Sequence, residues 1–351
     1  MSGVKELAAD KNVVVCCGSG GVGKTTTAAA LAVEAAALGR RACVVTIDPA
    51  RRLADALGLG ELTNEPRRVE GPWPGELWAL MLDTKTTFDA LVTQYASDPA
   101  QAERIIDNRL YRNVSGALSG TQEYMAMEKL HDLHSTGRFD LIVIDTPPTR
   151  NALDFLDAPR RLTRLLDNRI FRLLIMPTQS YLKMVSAATQ RVLRTIARVV
   201  GAEVVDDAVA FFEAFEGMEQ GFRDRAQAVI ELLSDDATAF VVVASPRRDA
   251  AQEAVFFADK LIEAGLGVDA VIVNRVQPVF GDHEPALPAS ASSALRRLLE
   301  NRNEFAALAE SEHRQLDDLR AAAGAAAVAY IPMLLDDVHD VGGLDLVRAH
   351  L

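Results

Sequence analysis

Residues 18–26, Gly-Ser-Gly-Gly-Val-Gly-Lys-Thr-Thr, constrain the fold of this chain more than any other stretch. They fit the pattern G-x-x-x-x-G-K-[ST], a loop whose backbone amides wrap phosphate oxygens. Such a loop needs a buried strand leading into it and a helix leaving it. Val13–Cys17 is a continuous apolar run suited to a parallel strand covered on both faces. Thr26–Leu38 is rich in alanine, and Gly39 after it suits the left-handed turn that closes a helix. Glycines keep Cβ atoms out of the way of the phosphates, and the helix N-terminus adds partial positive charge. Gly20, Gly21, Val22, Gly23, Lys24, Thr25 and Thr26 are therefore the candidate nucleotide-binding residues. Lys24 offers a point charge to the β- and γ-phosphates, and the Thr25 hydroxyl is a candidate ligand for Mg²⁺.

Further apolar runs follow at Ala42–Ile47, Leu77–Leu82, Leu141–Ile144, Phe240–Ala244, Ala270–Val273 and Ala327–Ile331. Short β-branched runs alternating with helical segments predict an α/β fold, a P-loop NTPase with a mostly parallel central sheet flanked by helices. The expected organisation is a single P-loop domain over residues 1–351. Two helical insertions, about 86–136 and 153–236, form a helical subdomain beside it. Gln277–Ser293, rich in Pro, Ser and Ala, reads as a loop.

The formal charge of −12 argues against wholesale nucleic-acid binding. No apolar run reaches the length of a transmembrane helix, and the N-terminus lacks a signal-peptide pattern. Cys16, Cys17 and Cys43 fall in predicted strands and read as small core residues of a reduced, cytoplasmic protein. One charge pattern leaves two readings open. Arg160–Arg198 carries nine Lys or Arg against one acid, Asp167, and the segment from Glu203 to Asp236 is strongly acidic with Phe211, Phe215, Met218 and Phe222 interleaved. Either the two pack against each other across an apolar seam, or the basic segment is a surface for a client, a partner or a lipid headgroup, which would put the protein peripherally at a membrane.

Two aspartates end apolar runs: Asp48 before Pro49-Ala50, and Asp145 before Thr146-Pro147-Pro148. In open α/β sheets ligands lie beyond the carboxyl ends of strands, so both point towards the phosphate loop. Asp145 suits Mg²⁺, through water, because Mg²⁺ keeps several waters. Asp48 suits the orienting of an attacking water, the catalytic task in phosphoryl transfer. A plain cap or turn role is the alternative for each. Asn274 sits at another strand end and is suited to an adenine edge. His131 and His134 lack ligand-spaced partners and read as packing or surface residues, and Asp336–Asp340 as a solvated loop.

Together these pieces resemble the ArsA-type anion-pump and guided-entry ATPases, a deviant Walker A branch. The matching segments are the glycine loop, TIDPARRLADALG from Thr46, GTQEYMAMEKL from Gly120, DTPPTRNALDFL from Asp145, VIVNR from Val271, and YIPML with DDV from Tyr330. They keep the family's order over almost the whole chain, and the likeness is nearest to actinobacterial members. The resemblance implies an ATPase using ATP and Mg²⁺. It places Asp48 in the first switch, Asp145 in the second, and Asn274 and Pro332 at the adenine. It also implies a face-to-face dimer whose helical surface opens and closes with nucleotide state around a client protein or membrane component.

The departures matter equally. The family carries a second lysine after the first loop glycine, reaching the partner's nucleotide; here that residue is Ser19. Turnover is then low, or supplied by a lysine-bearing paralogue in a heterodimer instead of a homodimer, or rescued by an arginine beside the switches (Arg51, Arg52 or Arg150). A weakly hydrolysing, nucleotide-sensing scaffold is the alternative function. The cysteines for a dimer-bridging zinc or an arsenite site have no counterpart. A partitioning or division-site ATPase is disfavoured by the acidic charge, the long insertions and the lack of a basic amphipathic C-terminal helix.

Overall fold

The computed structural model describes residues 3–48, 51–109, 111, 121–147, 158, 160, 164, 210–211, 214, 217–278 and 292–351. Eight strands form one sheet: β1 (Val13–Cys17), β2 (Arg41–Thr46), β3 (Arg67–Val69), β4 (Glu76–Met81), β5 (Leu141–Asp145), β6 (Thr238–Ala244), β7 (Ala270–Val276) and β8 (Ala327–Pro332). Their order is β3-β4-β2-β5-β1-β6-β7-β8. Every pairing is parallel except β3 with β4. This is the P-loop α/β architecture expected from the alternating runs.

The seven apolar runs all became strands, shifted or extended by up to three residues at an end. β3 has no counterpart among them. It is three residues long, Arg67 and Arg68 are exposed, and only Val69 is buried. Its pairing to β4 places it at the sheet edge, where charged side chains discourage further strand addition. β1, β5 and β6 are buried along their whole lengths. That is why they read as unbroken apolar runs, without alternation.

The chain leaves β1 for β2 on one side of the sheet and leaves β6 for β7 on the other. Connections that diverge in this way open a crevice at the carboxyl ends of the strands. The helix Lys24–Ala37 crosses from β1 to β2, its alanines letting it lie close against the strands. Gly39, with φ of 87°, sits one residue past its C-cap. Buried Glu34 on this helix accepts an ion pair from Arg348 at 3.1 Å, tying the C-terminal helix Val341–Arg348 to it.

Two compact units are distinguished. The first contains residues 1–81, 136–153 and 235–351, and holds the sheet. The second contains 82–135 and 154–234. Its described helices include Thr84–Tyr95, Pro99–Ile106, Thr121–Ser135 and Glu219–Leu233. Asp83 and Asp98 cap the first two, accepting from the backbone amides of Thr86 and Gln101. Its interior includes Leu130, Met127 and Phe222, with Phe222 tilted against Tyr95 at 5.3 Å. Glu128 is almost wholly buried and bonded to Arg225 Nε at 2.7 Å and to the Tyr124 hydroxyl.

Met218 and Phe222 of the acidic segment are thus core residues, and Phe211 stacks on Tyr111. The basic stretch 160–198 lies outside the described residues except Arg160 and Arg164, both exposed. Arg150, Pro49, Phe215 and 279–291 of the loop Gln277–Ser293 also lie outside them. All three cysteines are buried and unbridged. Among the described residues no helix is long and apolar enough to cross a membrane.

Candidate functional site

At the carboxyl ends of the strands lies a cleft of about 770 Å³, walled by the phosphate loop on one side and the segment after β8 on the other. The loop owes its shape to two close approaches. Gly18 has φ of 152°, and a Cβ there would stand 2.2 Å from the Val243 carbonyl oxygen. Gly23 has φ of 96°, and a Cβ there would stand 2.1 Å from Asn274 Nδ2. Both positions exclude any side chain. Gly20 and Gly21 are exposed at the loop's tip, while Val22 turns its side chain into the core.

Lys24 opens the helix and is buried, its Nζ donating to the Ser19 carbonyl at 2.8 Å. Burial pulls its pKa below the usual amine range, with the negative charge of Asp145 opposing that pull. Thr25 and Thr26 follow along the cleft floor. The Thr25 hydroxyl donates to Asp145 Oδ2 at 2.7 Å.

Asp145 ends β5, and its position is fixed by sheet register, which sets it beside Thr46 of β2 and Cys16 of β1. The Thr46 hydroxyl also donates to Oδ2, at 2.8 Å. Oδ1 is buried with no hydrogen-bond partner among the described residues. Burial pushes the carboxyl above its ordinary range, and the two threonine hydroxyls oppose that. A buried carboxylate with one oxygen unsatisfied beside a hydroxyl is a hard-oxygen donor set that fits Mg²⁺ and its waters.

Asp48 lines the cleft just past β2, its backbone amide 3.3 Å from the Thr46 hydroxyl. Arg52, largely exposed, reaches its carboxylate at 3.4 Å. Pro332 lines the opposite wall at the end of β8. Asn274 lies in the same cleft, inside β7 and not at its end. Its Nδ2 donates to the Val22 carbonyl at 2.9 Å, which braces the phosphate loop. One side chain thereby both packs on Gly23 and holds the residue before it.

Three residues of the site were not singled out from sequence. Thr46 supports Asp145, but only the β2–β5 register reveals it. Thr146 is buried against the Cys16 carbonyl, donating at 2.8 Å, and lines the cleft. Arg275 occupies the left-handed region with φ of 64° at a β-bulge in β7, and its guanidinium donates to the Gly21 carbonyl at 3.2 Å. The Asn-Arg pair closing the VIVNR run was the available sign. Ser19 is buried, its hydroxyl without a hydrogen-bond partner among the described residues, and being a neutral hydroxyl it brings no charge to the loop.

The family model described as anion-transporting ATPase (ArsA) matches residues 11–309. A protein of Aquifex aeolicus (strain VF5) named as an arsenical pump-driving ATPase is 25% identical over 272 residues, which cover 76% of this chain and 63% of that protein. An ATPase ASNA1 homolog of Dictyostelium discoideum is 26% identical over 260 residues, covering 74% of this chain and 70% of the relative. The ATPase GET3 of Malassezia globosa is 28% identical over 153 residues, covering 44% of each. The chain thus spans less than two thirds of the length of the Aquifex relative. With a family match running from the first strand through most of the long helix Ser293–Gln315, the chain belongs to the ArsA family of anion-transporting ATPases.

Proposed function

We propose that the chain binds Mg²⁺-ATP in this cleft and hydrolyses it, acting as a dimeric switch whose nucleotide state opens and closes a helical surface for a client protein or membrane component. The observation that carries this reading is Asp145, whose Oδ2 takes the hydroxyls of Thr25 and Thr46 while buried Oδ1 has no hydrogen-bond partner among the described residues. Bound there, Mg²⁺ would supply neutralising charge to the β- and γ-phosphate oxygens. The residues do the rest. Loop amides and Lys24 hold the phosphates in line, and Asp48 aligns the attacking water. Asn274 and Pro332 border the space suited to the adenine. The helical unit supplies the client surface. Whether the dimer pairs like chains or pairs with a paralogue follows from where the missing cation comes from.

An arsenite role does not follow from the relatives' names. Soft metalloids take exposed thiolates, whereas all three thiols are buried. Burial pushes Cys17 up to about 12 and Cys16 well above its ordinary value.

The test is phosphate release from ATP in the presence of Mg²⁺ by wild type and Lys24→Ala. Wild-type turnover lost in the variant supports hydrolysis; equal rates in the two would end it. Ser19 favours one second reading, a nucleotide-sensing scaffold that hydrolyses only beside a lysine-bearing paralogue. That reading requires mixed chains to turn over faster than the sum of the separate ones.

A further inference from the structure

Among the described residues three strong bases line the cleft, and each is held by a local contact. Lys24 is buried on the Ser19 carbonyl, and Arg52 is paired with Asp48. The third, Arg275, is exposed and makes no ion pair among the described residues; its guanidinium meets a neutral carbonyl, that of Gly21, at 3.2 Å. It stands there because of an unusual backbone. The register between β7 and β8 slips between Asn274 and Val276, leaving Arg275 as the extra residue. Its φ of 64° is the only positive value at a non-glycine among the described residues.

A residue with a Cβ resists this conformation, and arginine gains nothing from it locally. Such strain persists where surrounding structure enforces it, and it collects at binding sites. Bulges next to active sites serve to re-aim a side chain. Here Asn274 and Val276 stay buried while the residue between them is turned out over the tip of the phosphate loop.

We propose that Arg275 is a polyphosphate-binding residue, a cation delivered by the β7 bulge that exchanges its hold on the Gly21 carbonyl for a phosphate oxygen of the bound nucleotide. The exchange is favourable in kind. A guanidinium bonds an ionised oxygen about twice as strongly as a neutral carbonyl, and its planar fork has donors to spare. It would also supply positive charge at a loop whose Ser19 supplies none. The inference rests on the nucleotide-binding reading of the cleft and adds a contact to it.

The experiment is equilibrium displacement of a fluorescent ATP analogue by ATP, by inorganic tripolyphosphate and by adenosine, with Mg²⁺. It uses the full chain as wild type, Arg275→Gln, Arg275→Lys and Arg275→Gly. Loss of one charge-assisted contact corresponds to roughly 10- to 100-fold in affinity. Gln and Gly should weaken ATP and tripolyphosphate alike by that factor and leave adenosine unchanged, with Lys recovering part of the loss. Arg275→Gly, which relieves the strained φ, should unfold thermally at or above the wild-type temperature, so that weaker binding is not a folding defect. Wild-type affinity for tripolyphosphate in Gln and Gly would overturn the proposal while leaving the nucleotide site standing. A loss confined to adenosine would overturn it in favour of a base contact. A wild type that binds neither ATP nor the analogue would overturn the nucleotide reading and this inference together.

Discussion

Substituting Gly23 by alanine tests the geometry of the phosphate loop at its tightest point. Two costs follow. The backbone has φ of 96°, where a Cβ adds about 1–2 kcal/mol. The new methyl would also stand 2.1 Å from Asn274 Nδ2. Asn274 must then give up its bond to the Val22 carbonyl, worth about 0.5–1.5 kcal/mol net. The expected total is about 1.5–3.5 kcal/mol. The two parts separate in a double-mutant cycle. With Asn274→Ala as background the collision partner is gone, so Gly23→Ala should cost only the backbone strain. The coupling between the sites should be about 0.5–1.5 kcal/mol. Urea unfolding followed by tryptophan fluorescence suits the measurement, because both tryptophans, Trp73 and Trp78, belong to the sheet-containing unit. A cost below about 0.5 kcal/mol, or strict additivity with Asn274→Ala, would refute the claim that Asn274 clamps the loop across Gly23.

Other expectations concern the helical unit. Asp83→Ala should destabilise it by about 1 kcal/mol at neutral pH, through loss of the cap on Thr84–Tyr95. The bonds from Thr86 hold the Asp83 carboxyl below its ordinary 3.8, so its stabilisation is complete above that value and is lost as pH falls through the lower folded-state pKa. Wild type and variant should therefore converge in acid, as read by circular dichroism in urea. Arg225→Met should cost about 3–5 kcal/mol by stranding buried Glu128, and adding Glu128→Gln should recover part of it. Burial already holds the Glu128 carboxyl above its ordinary 4.5. Without Arg225 that rise grows, so the Arg225→Met deficit should be greatest above the raised value and shrink as pH falls towards 4.5.

Much of the fold and the core of the site were legible because they rest on local chemistry. The glycine loop dictates its own strand and helix, and strands buried on both faces announce themselves as unbroken apolar runs. Lys24 and Thr25 could be named from the glycine-loop motif, Asp48 from its place after an apolar run, and Asn274 and Pro332 from the family resemblance, and all five line one cleft. What escaped depends on tertiary partners. β3 is too short and too charged to show a period. β7 continues past Val273 by pairing with β8, and its buried Asn274 is satisfied by the Val22 carbonyl, a bond that hydropathy cannot register. Thr46 matters only through its register opposite Asp145. Arg275 matters only through a bulge created by the pairing of β7 with β8.

The central proposal is that Thr25, in the cleft, and Asp145, bonded to it, would hold Mg²⁺ against nucleotide phosphates. Calorimetric titration of ATP, with Mg²⁺ and with a chelator, into wild type and Asp145→Asn tests this most directly. Wild type should bind ATP more tightly with Mg²⁺ than without, and Asp145→Asn should bind equally in both. A wild type indifferent to Mg²⁺, or a variant that keeps the full Mg²⁺ enhancement, would contradict it.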